Sequence, residues 1–241
     1  MRSPIAPTNP LQLLCGGGDV SIRAALFDID GTLVDSNYLH IDAWSRAFAD
    51  IGCPVDAWRI HRCIGMDGEK LLDSLLDGAG KEMRERATAG HSEYYRKATD
   101  RLRPFDGAQE LLRELASRGV IVVLATSAPE SELKALREVL SIEDSVAVVT
   151  SSEDVESAKP APDIVHVALE RAEVPASDAV MVGDSVWDMK AAVAAGVMCV
   201  GVRSGGVSAD ELSDAGAAAV YSDVADLLAQ LNDSVFMPGP A

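Results

Sequence analysis

Acidic side chains stand at positions in the sequence where they could act together. Asp28 and Asp30 lie two residues apart at the end of an apolar run, so in an extended strand both carboxylates point to one face. Asp184 and Asp188 follow another apolar run much later in the chain. A carboxylate so close to a buried strand is costly unless it is paired or bound to a metal ion. Taken singly, Asp30 could simply form a turn and Asp184 could simply cap a helix.

A lysine and two hydroxyl residues complete this set. Lys159 stands between small residues and prolines, and Thr126 with Ser127 follows a third apolar run. An ammonium group can neutralise phosphate oxygens, and Thr126 with the backbone amides after it can donate hydrogen bonds to them. Alone, Lys159 could equally be a surface lysine and Thr126 a strand-end hydroxyl.

The acids also predict a metal ion. Carboxylates that converge repel one another and require a cation. Oxygen ligands without histidine or cysteine are the set that Mg²⁺ prefers, and Mg²⁺ commonly also reaches a substrate phosphate. The sequence therefore predicts Mg²⁺ as the cofactor.

These residues are positioned by an alternation of apolar β-branched segments and segments of helical periodicity. The alternation predicts an α/β fold with a doubly wound, Rossmann-like parallel sheet, covered by helices on both faces. Ligands of such sheets bind beyond the carboxyl ends of the strands, which is where the candidate residues fall. The predicted strands are 22–29, 120–125, 146–149, 179–182, 197–202 and 218–221.

The first two predicted strands are separated by a long stretch with helical patterns only. It predicts an inserted α-helical cap domain at 36–103, within a catalytic core made of 21–35 and 104–235. Its helices are expected near 37–51, 56–63, 68–77 and 81–100. Residues 1–20, with a run of three glycines, are expected to form a disordered leader, and 236–241 a loose tail.

Charge and composition exclude several classes of protein. Asp and Glu number 38 against 21 Lys and Arg, so the formal net charge is −17 and the surface repels phosphate backbones and anionic lipid. Nucleic-acid and membrane partners are therefore not expected. Four cysteines without a CxxC pair are expected to be free thiols in the cytoplasm. The chain is expected to act as a monomer or a homodimer on a small phosphorylated metabolite.

The motifs, in their order, resemble those of a known family. Four segments are similar to the four motifs of the haloacid dehalogenase superfamily: Asp28-Ile29-Asp30-Gly31-Thr32-Leu33-Val34-Asp35-Ser36, Thr126-Ser127, Lys159-Pro160, and Gly183-Asp184 with Asp188. The helical insert is similar to the cap of its phosphoglycolate phosphatases and β-phosphoglucomutases. The resemblance covers nearly all of residues 22–232.

The resemblance implies a role for each motif residue. Asp28 would attack phosphorus and form an aspartyl-phosphate, and Asp30 would protonate the leaving oxygen and later take a proton from water. The ligands of Mg²⁺ would be Asp28, the Asp30 carbonyl and Asp184. Asp188 would support the metal ion from the second shell. Phosphoryl oxygens would be held by Thr126, Ser127 and Lys159.

The resemblance extends to the cap. Residues 62–70 look like its specificity loop, in which Arg62 or Lys70 could reach an anionic group of the substrate or could simply be solvated. His40 stands where the mutases place a histidine at the cap hinge, and packing within a helix is the alternative. Gly68 stands where mutases commonly carry a phosphate-binding arginine, which favours hydrolysis. The other histidines, including His91, are expected to be structural.

Three functions are compatible with these motifs. The first is a Mg²⁺-dependent phosphatase, a phosphoric monoester hydrolase, because Asp30 supplies the acid that a poor leaving group needs. The second is a sugar phosphomutase of the same superfamily, which Gly68 disfavours. The third is a phosphoacceptor signalling module, which is disfavoured because Asp28 and Asp30 share one strand end and a cap interrupts the core.

Overall fold

The computed structural model describes residues 22–155 and 157–237, so the predicted leader at 1–20 lies outside the described residues. A parallel sheet with strand order β3-β2-β1-β4-β5-β6 forms its centre. The strands are β1 (Ala24–Phe27), β2 (Ile121–Ala125), β3 (Val148–Thr150), β4 (Ala179–Gly183), β5 (Met198–Val202) and β6 (Ala219–Tyr221). The predicted doubly wound α/β sheet is confirmed, with strand ends shifted by a few residues.

Helices cover both faces of this sheet. Because neighbouring residues of a strand point to opposite faces, Phe27 and Val182 pack on one side and Leu26 and Met181 on the other. Burying one such side chain contributes about 1.5–3 kcal/mol. The helices of the core are α5 (Ala108–Ser117), α6 (Glu130–Leu140), α7 (Asp163–Ala172), α8 (Val186–Ala194), α9 (Ala209–Asp214) and α10 (Val224–Ala229).

Residues 36–103 contain α-helices and no strand, and all of these residues are described. These helices, which we call the helical insert, are α1 (Asn37–Asp50), α2 (Ala57–His61), α3 (Gly68–Leu75) and α4 (Lys81–Arg96). They bury an apolar cluster of their own around Trp44, Phe48 and Ile60. The insert thus has the separate core that a distinct unit requires.

The entry and exit of the helical insert lie side by side. Asp35 N–H donates to the Arg103 carbonyl at 3.0 Å, and Phe105 N–H donates to the Leu33 carbonyl at 2.9 Å. The side chains of Arg103 and Asp35 also form an ion pair at 2.7 Å. The segment that enters the insert and the segment that leaves it are therefore joined by hydrogen bonds and an ion pair.

The C-terminal boundary differs from the prediction. Phe236 is only 2% exposed and packs into the core cluster that includes Leu231. The prediction that the loose tail begins at residue 236 is therefore wrong, because an aromatic ring is buried there. Residues 238–241 lie outside the described part of the chain.

Candidate functional site

The carboxyl edge of the sheet brings the first motif next to the fourth. Asp28 follows β1 directly, and its N–H donates to the carbonyl of Val182 in β4 at 3.0 Å. Asp184 follows β4. Because β1 and β4 are parallel neighbours in register, their carboxyl ends present Asp28 and Asp184 at the same edge.

Lys159 is buried among the acids, with 1% of its surface exposed. Its Nζ donates to Asp28 Oδ1 at 2.8 Å and to the Ala125 carbonyl at 3.2 Å, and it lies 2.7 Å from Asp188 Oδ1. Burial alone would lower the pKa of Lys159, but the carboxylates of Asp188 and Asp28 raise it overall. The ammonium group is therefore charged and holds two acids in place.

The pKa of Asp28 lies close to neutral pH. Burial raises its pKa to about 7, and the positive charge of Lys159 opposes this shift. The negative charges of Asp188 and Asp30 raise the pKa further. A buried cation beside Asp28 would favour its ionised form, which is the nucleophilic form.

Asp188 is fixed by the start of α8. Its Oδ2 accepts hydrogen bonds from the Ser185 N–H at 3.0 Å and from Ser185 Oγ at 2.6 Å, while its own N–H donates to Ser185 Oγ at 3.2 Å. This reciprocal capping box leaves Oδ1 for Lys159. A Cβ atom on Gly183 would lie 2.4 Å from the Asp188 Cβ, so only glycine permits this approach.

Asp184 is held by the segment that leads into the helical insert. Thr32 Oγ1 donates to its Oδ1 at 2.9 Å, and Asn37 Nδ2 donates to its Oδ2 at 2.8 Å. Burial and the charges of Asp188 and Asp28 raise the pKa of Asp184 well above its ordinary value. A Cβ on Gly205 would lie 1.7 Å from Asp184 Oδ2, so the loop after β5 packs directly over this carboxylate.

The donor set fits a hard divalent cation. Asp28, Asp184 and Asp188 are all buried, and each offers one oxygen atom within 4.8 Å of the others. Like charges this close need a counter-ion beyond Lys159 alone. The sequence assigned Asp188 a supporting position, whereas its carboxylate lies within the group that could bind an ion directly. The Asp30 side chain is not in this group, which leaves its carbonyl as the predicted ligand.

The Asp30 carboxylate turns toward the helical insert instead. Ser36 Oγ donates to Asp30 Oδ1 at 2.5 Å, and His40 Nε2 lies 3.3 Å from the same oxygen. Burial alone would raise the pKa of Asp30, but the hydrogen bond and charge of His40, together with Ser36, lower it overall. For His40 burial lowers the pKa, and Asp30 raises it overall. These shifts favour an ionised Asp30 and a protonated His40, which together form an ion pair.

His91 of α4 contacts the far side of His40. Its Nε2 lies 3.1 Å from His40 Nδ1, and its ring stacks on Trp44 with centroids 4.2 Å apart. Burial, and then the charge of His40, lower the pKa of His91 to about 2, so its ring is neutral. His91, expected from the sequence to be structural, thus contacts a histidine of the site, because α1 and α4 bring the two rings together.

The predicted phosphate-binding residues follow β2. Thr126 Oγ1 accepts the Ala128 N–H at 3.0 Å, which shapes a turn at the strand end. Ser127 Oγ is buried and has no hydrogen-bond partner among residues 22–155 and 157–237. A buried hydroxyl without a partner is unusual in proteins and is expected to meet a ligand.

A cavity of about 1070 Å³ opens over these residues, between the core and the helical insert. Asp28, Lys159 and His40 line it. Arg62 instead forms an ion pair with Glu211 of α9, and Lys70 donates to the Ala158 carbonyl. Neither Arg62 nor Lys70 lines the cavity, although Ala158, the partner of Lys70, does.

Sequence reasoning missed three side chains of this region. Asn37 and Ser36 are buried polar residues at the start of α1 that bind Asp184 and Asp30. Glu132, in the first turn of α6, lines the cavity. Ser36 is the last residue of the first motif and Asn37 follows it, but neither has a role assigned from the sequence.

Comparison with known proteins agrees with the geometry. The profile of the haloacid dehalogenase-like hydrolase family matches residues 25–202. A phosphoglycolate phosphatase of Rhodospirillum rubrum is 35% identical over 216 residues, which are 85% of this chain and 89% of the relative.

Solved structures show the same similarity. A hydrolase from Pseudomonas syringae superposes with a TM-score of 0.83 at 34% identity, covering 87% of this chain and 98% of that one. A β-phosphoglucomutase from Clostridium difficile has a TM-score of 0.74 at 21% identity, covering 84% and 92%, and shares the fold. In the part of the chain that is described, no helix is both long and apolar enough to cross a bilayer.

Proposed function

Because the chain belongs to the haloacid dehalogenase-like hydrolase family, we propose that it is a Mg²⁺-dependent phosphatase that hydrolyses a small phosphorylated metabolite through an aspartyl-phosphate. One observation carries the proposal: Asp28, with Lys159 at 2.8 Å, lies at the wall of a large cavity beside Asp184 and Asp188. One site therefore contains a nucleophile, a cation for the phosphoryl group and a set of metal ligands.

Asp28 is the nucleophile. Its carboxylate oxygen attacks phosphorus, the bond from phosphorus to the ester oxygen breaks, and the phosphoryl group is transferred to Asp28. Lys159 keeps the attacking carboxylate ionised and oriented and lies where it can offset charge on the phosphoryl oxygens. Thr126 and Ser127 border the same position from the end of β2.

Asp30 acts first as a general acid and then as a general base. In the first step it gives a proton to the leaving ester oxygen, and in the second it takes one from the water that attacks the aspartyl-phosphate. The bond from phosphorus to Asp28 then breaks and inorganic phosphate leaves. His40, whose protonated form the contact with Asp30 favours, lies 3.3 Å from that carboxylate and can supply the proton that Asp30 passes to the leaving oxygen.

Asp28, Asp184 and the Asp30 carbonyl would hold Mg²⁺, with Asp188 beside them. The bound ion would supply positive charge between the anionic nucleophile and the anionic substrate. Thr32 and Asn37 orient Asp184 through one hydrogen bond to each of its oxygens. Asp184 is thus held by the same segment that leads into the helical insert.

We propose that the helical insert acts as a cap that closes the cavity and excludes water. Hydrolysis is favoured over phosphomutase activity because Gly68 lines the cavity where a phosphate-binding arginine is expected in mutases. We further propose a cytoplasmic location, supported by Cys53, Cys63 and Cys199, which are free thiols.

The test is hydrolysis of p-nitrophenyl phosphate with Mg²⁺ by the Asp28→Asn variant. We expect a loss of at least about a thousandfold in kcat, with an unchanged circular dichroism spectrum. Asp178→Asn is the matched control, because Asp178 precedes the same β4 at the opposite end, where its side chain contacts Arg23 and Ser177. Retained activity in Asp28→Asn would show that another group attacks phosphorus.

A further inference from the structure

Glu132 is a cavity residue that the proposed chemistry does not use. It lies in the first turn of α6, directly after the segment of Thr126 and Ser127, and is half-buried. Its side chain lines the same cavity as Asp30 and His40. An acid in the first turn of a helix is also favoured by the helix dipole, but Glu130 in that turn is exposed and serves this purpose without entering the cavity.

The carboxylate of Glu132 has no ion-pair or hydrogen-bond partner among the residues that the structure describes. Burial raises its pKa, His40 lowers it and Asp30 raises it, and no lysine or arginine contributes. His40 is paired with Asp30, so the half-buried carboxylate of Glu132 has lost water without gaining a hydrogen-bond partner. Its surroundings therefore favour a ligand that brings hydrogen-bond donors.

The cations of the cavity wall are already engaged. Arg84 pairs with Asp73 and also donates to a backbone carbonyl of α3, and Lys159 is held by the catalytic acids. Lys81 is almost fully exposed at the rim. Beside the position of the leaving group, the wall thus presents negative charge and no free cation from the described chain.

This argument rests on the proposed phosphatase function. We propose that Glu132 selects the leaving alcohol, accepting hydrogen bonds from its hydroxyl or ammonium groups and repelling an alcohol that carries a carboxylate. The cavity, at about 1070 Å³, has room for a sugar-sized alcohol. The substrate class is therefore a phosphate ester of a donor-rich alcohol, such as a sugar or an amino sugar, and differs from phosphoglycolate, whose leaving group bears a carboxylate.

The experiment compares kcat/KM for three esters: glucosamine 6-phosphate, glucose 6-phosphate and 2-phosphoglycolate. It uses the wild type, Glu132→Gln and Glu130→Gln at mildly alkaline pH, with phosphate release as the readout. Ratios between substrates are compared because they cancel any loss of folded enzyme, and thermal unfolding checks the fold. Glucose and glucosamine distinguish hydroxyl from ammonium recognition.

We expect the wild type to prefer both sugar phosphates over 2-phosphoglycolate. Glu132→Gln should reduce this preference about tenfold, which corresponds to about 1.4 kcal/mol, and Glu130→Gln should leave it unchanged. An unchanged ratio in Glu132→Gln, or a wild type that prefers 2-phosphoglycolate, would overturn the inference alone. Failure of the wild type to hydrolyse any ester, p-nitrophenyl phosphate included, would overturn the proposed function and with it this inference.

Discussion

Replacing Lys159 by methionine removes the charge that lies between two buried acids. The structure gives its Nζ contacts of 2.8 Å to Asp28, 2.7 Å to Asp188 and 3.2 Å to the Ala125 carbonyl. Methionine fills a similar volume, so little of the effect comes from packing. The variant leaves two carboxylates in a site where Lys159 is 1% exposed, with no cation to compensate them.

Breaking a buried ion pair by removing one partner costs about 3–5 kcal/mol. For a chain of this length, one kcal/mol shifts the unfolding temperature by about 2–4 °C, so we expect Lys159→Met to unfold about 6–20 °C below the wild type without Mg²⁺. Saturating Mg²⁺ should recover part of this loss, because the ion would neutralise the same carboxylates. Loss of a cation that faces the phosphoryl group should also lower kcat on p-nitrophenyl phosphate by about 10²–10³-fold.

Differential scanning calorimetry with and without Mg²⁺ measures this effect. Lys134→Met is the matched control, because that lysine lies on the exposed side of α6 and only reaches Glu138 at 3.9 Å. Such an exposed pair contributes about 0–1 kcal/mol. If Lys159→Met unfolds within about 2 °C of the control, the two acids do not depend on this ammonium group and the reasoning is refuted.

Three further changes test the neighbouring residues. Asp30→Asn should slow the hydrolysis of alkyl phosphates by at least about 10²-fold and that of p-nitrophenyl phosphate much less, because only a poor leaving group needs the proton. Equal losses in the steady-state rates of both esters would contradict this role. His91→Leu should produce a weaker form of the same leaving-group split, since His91 positions His40 against Asp30, whereas uniform losses would indicate a structural role alone. Asn37→Leu should raise the Mg²⁺ concentration needed for half-maximal activity about 10–100-fold by releasing one oxygen of Asp184, and an unchanged Mg²⁺ requirement would argue against that contact.

The sequence alone was sufficient for the architecture. Apolar β-branched runs and helical patterns are local properties, so β4 and α1 could be located within a residue. The rule that parallel strands present their carboxyl ends together then predicted that Asp28 and Asp184 would meet. The resemblance of four ordered motifs then pointed to Asp30 and Lys159. Because the topology places the ends of these strands at one edge of the sheet, the sequence was enough to predict that the motif residues lie together.

Only the tertiary structure decided which side chains face the cavity. Arg62 and Lys70 belong to the predicted specificity loop, yet they bind Glu211 and the Ala158 carbonyl because the helical insert docks against the core at those points. Glu132 carries no motif, and it reaches the cavity because α6 begins beside the phosphate-binding turn. Pairings between residues far apart in the chain depend on how two packed units meet, and no local pattern in the sequence records that contact.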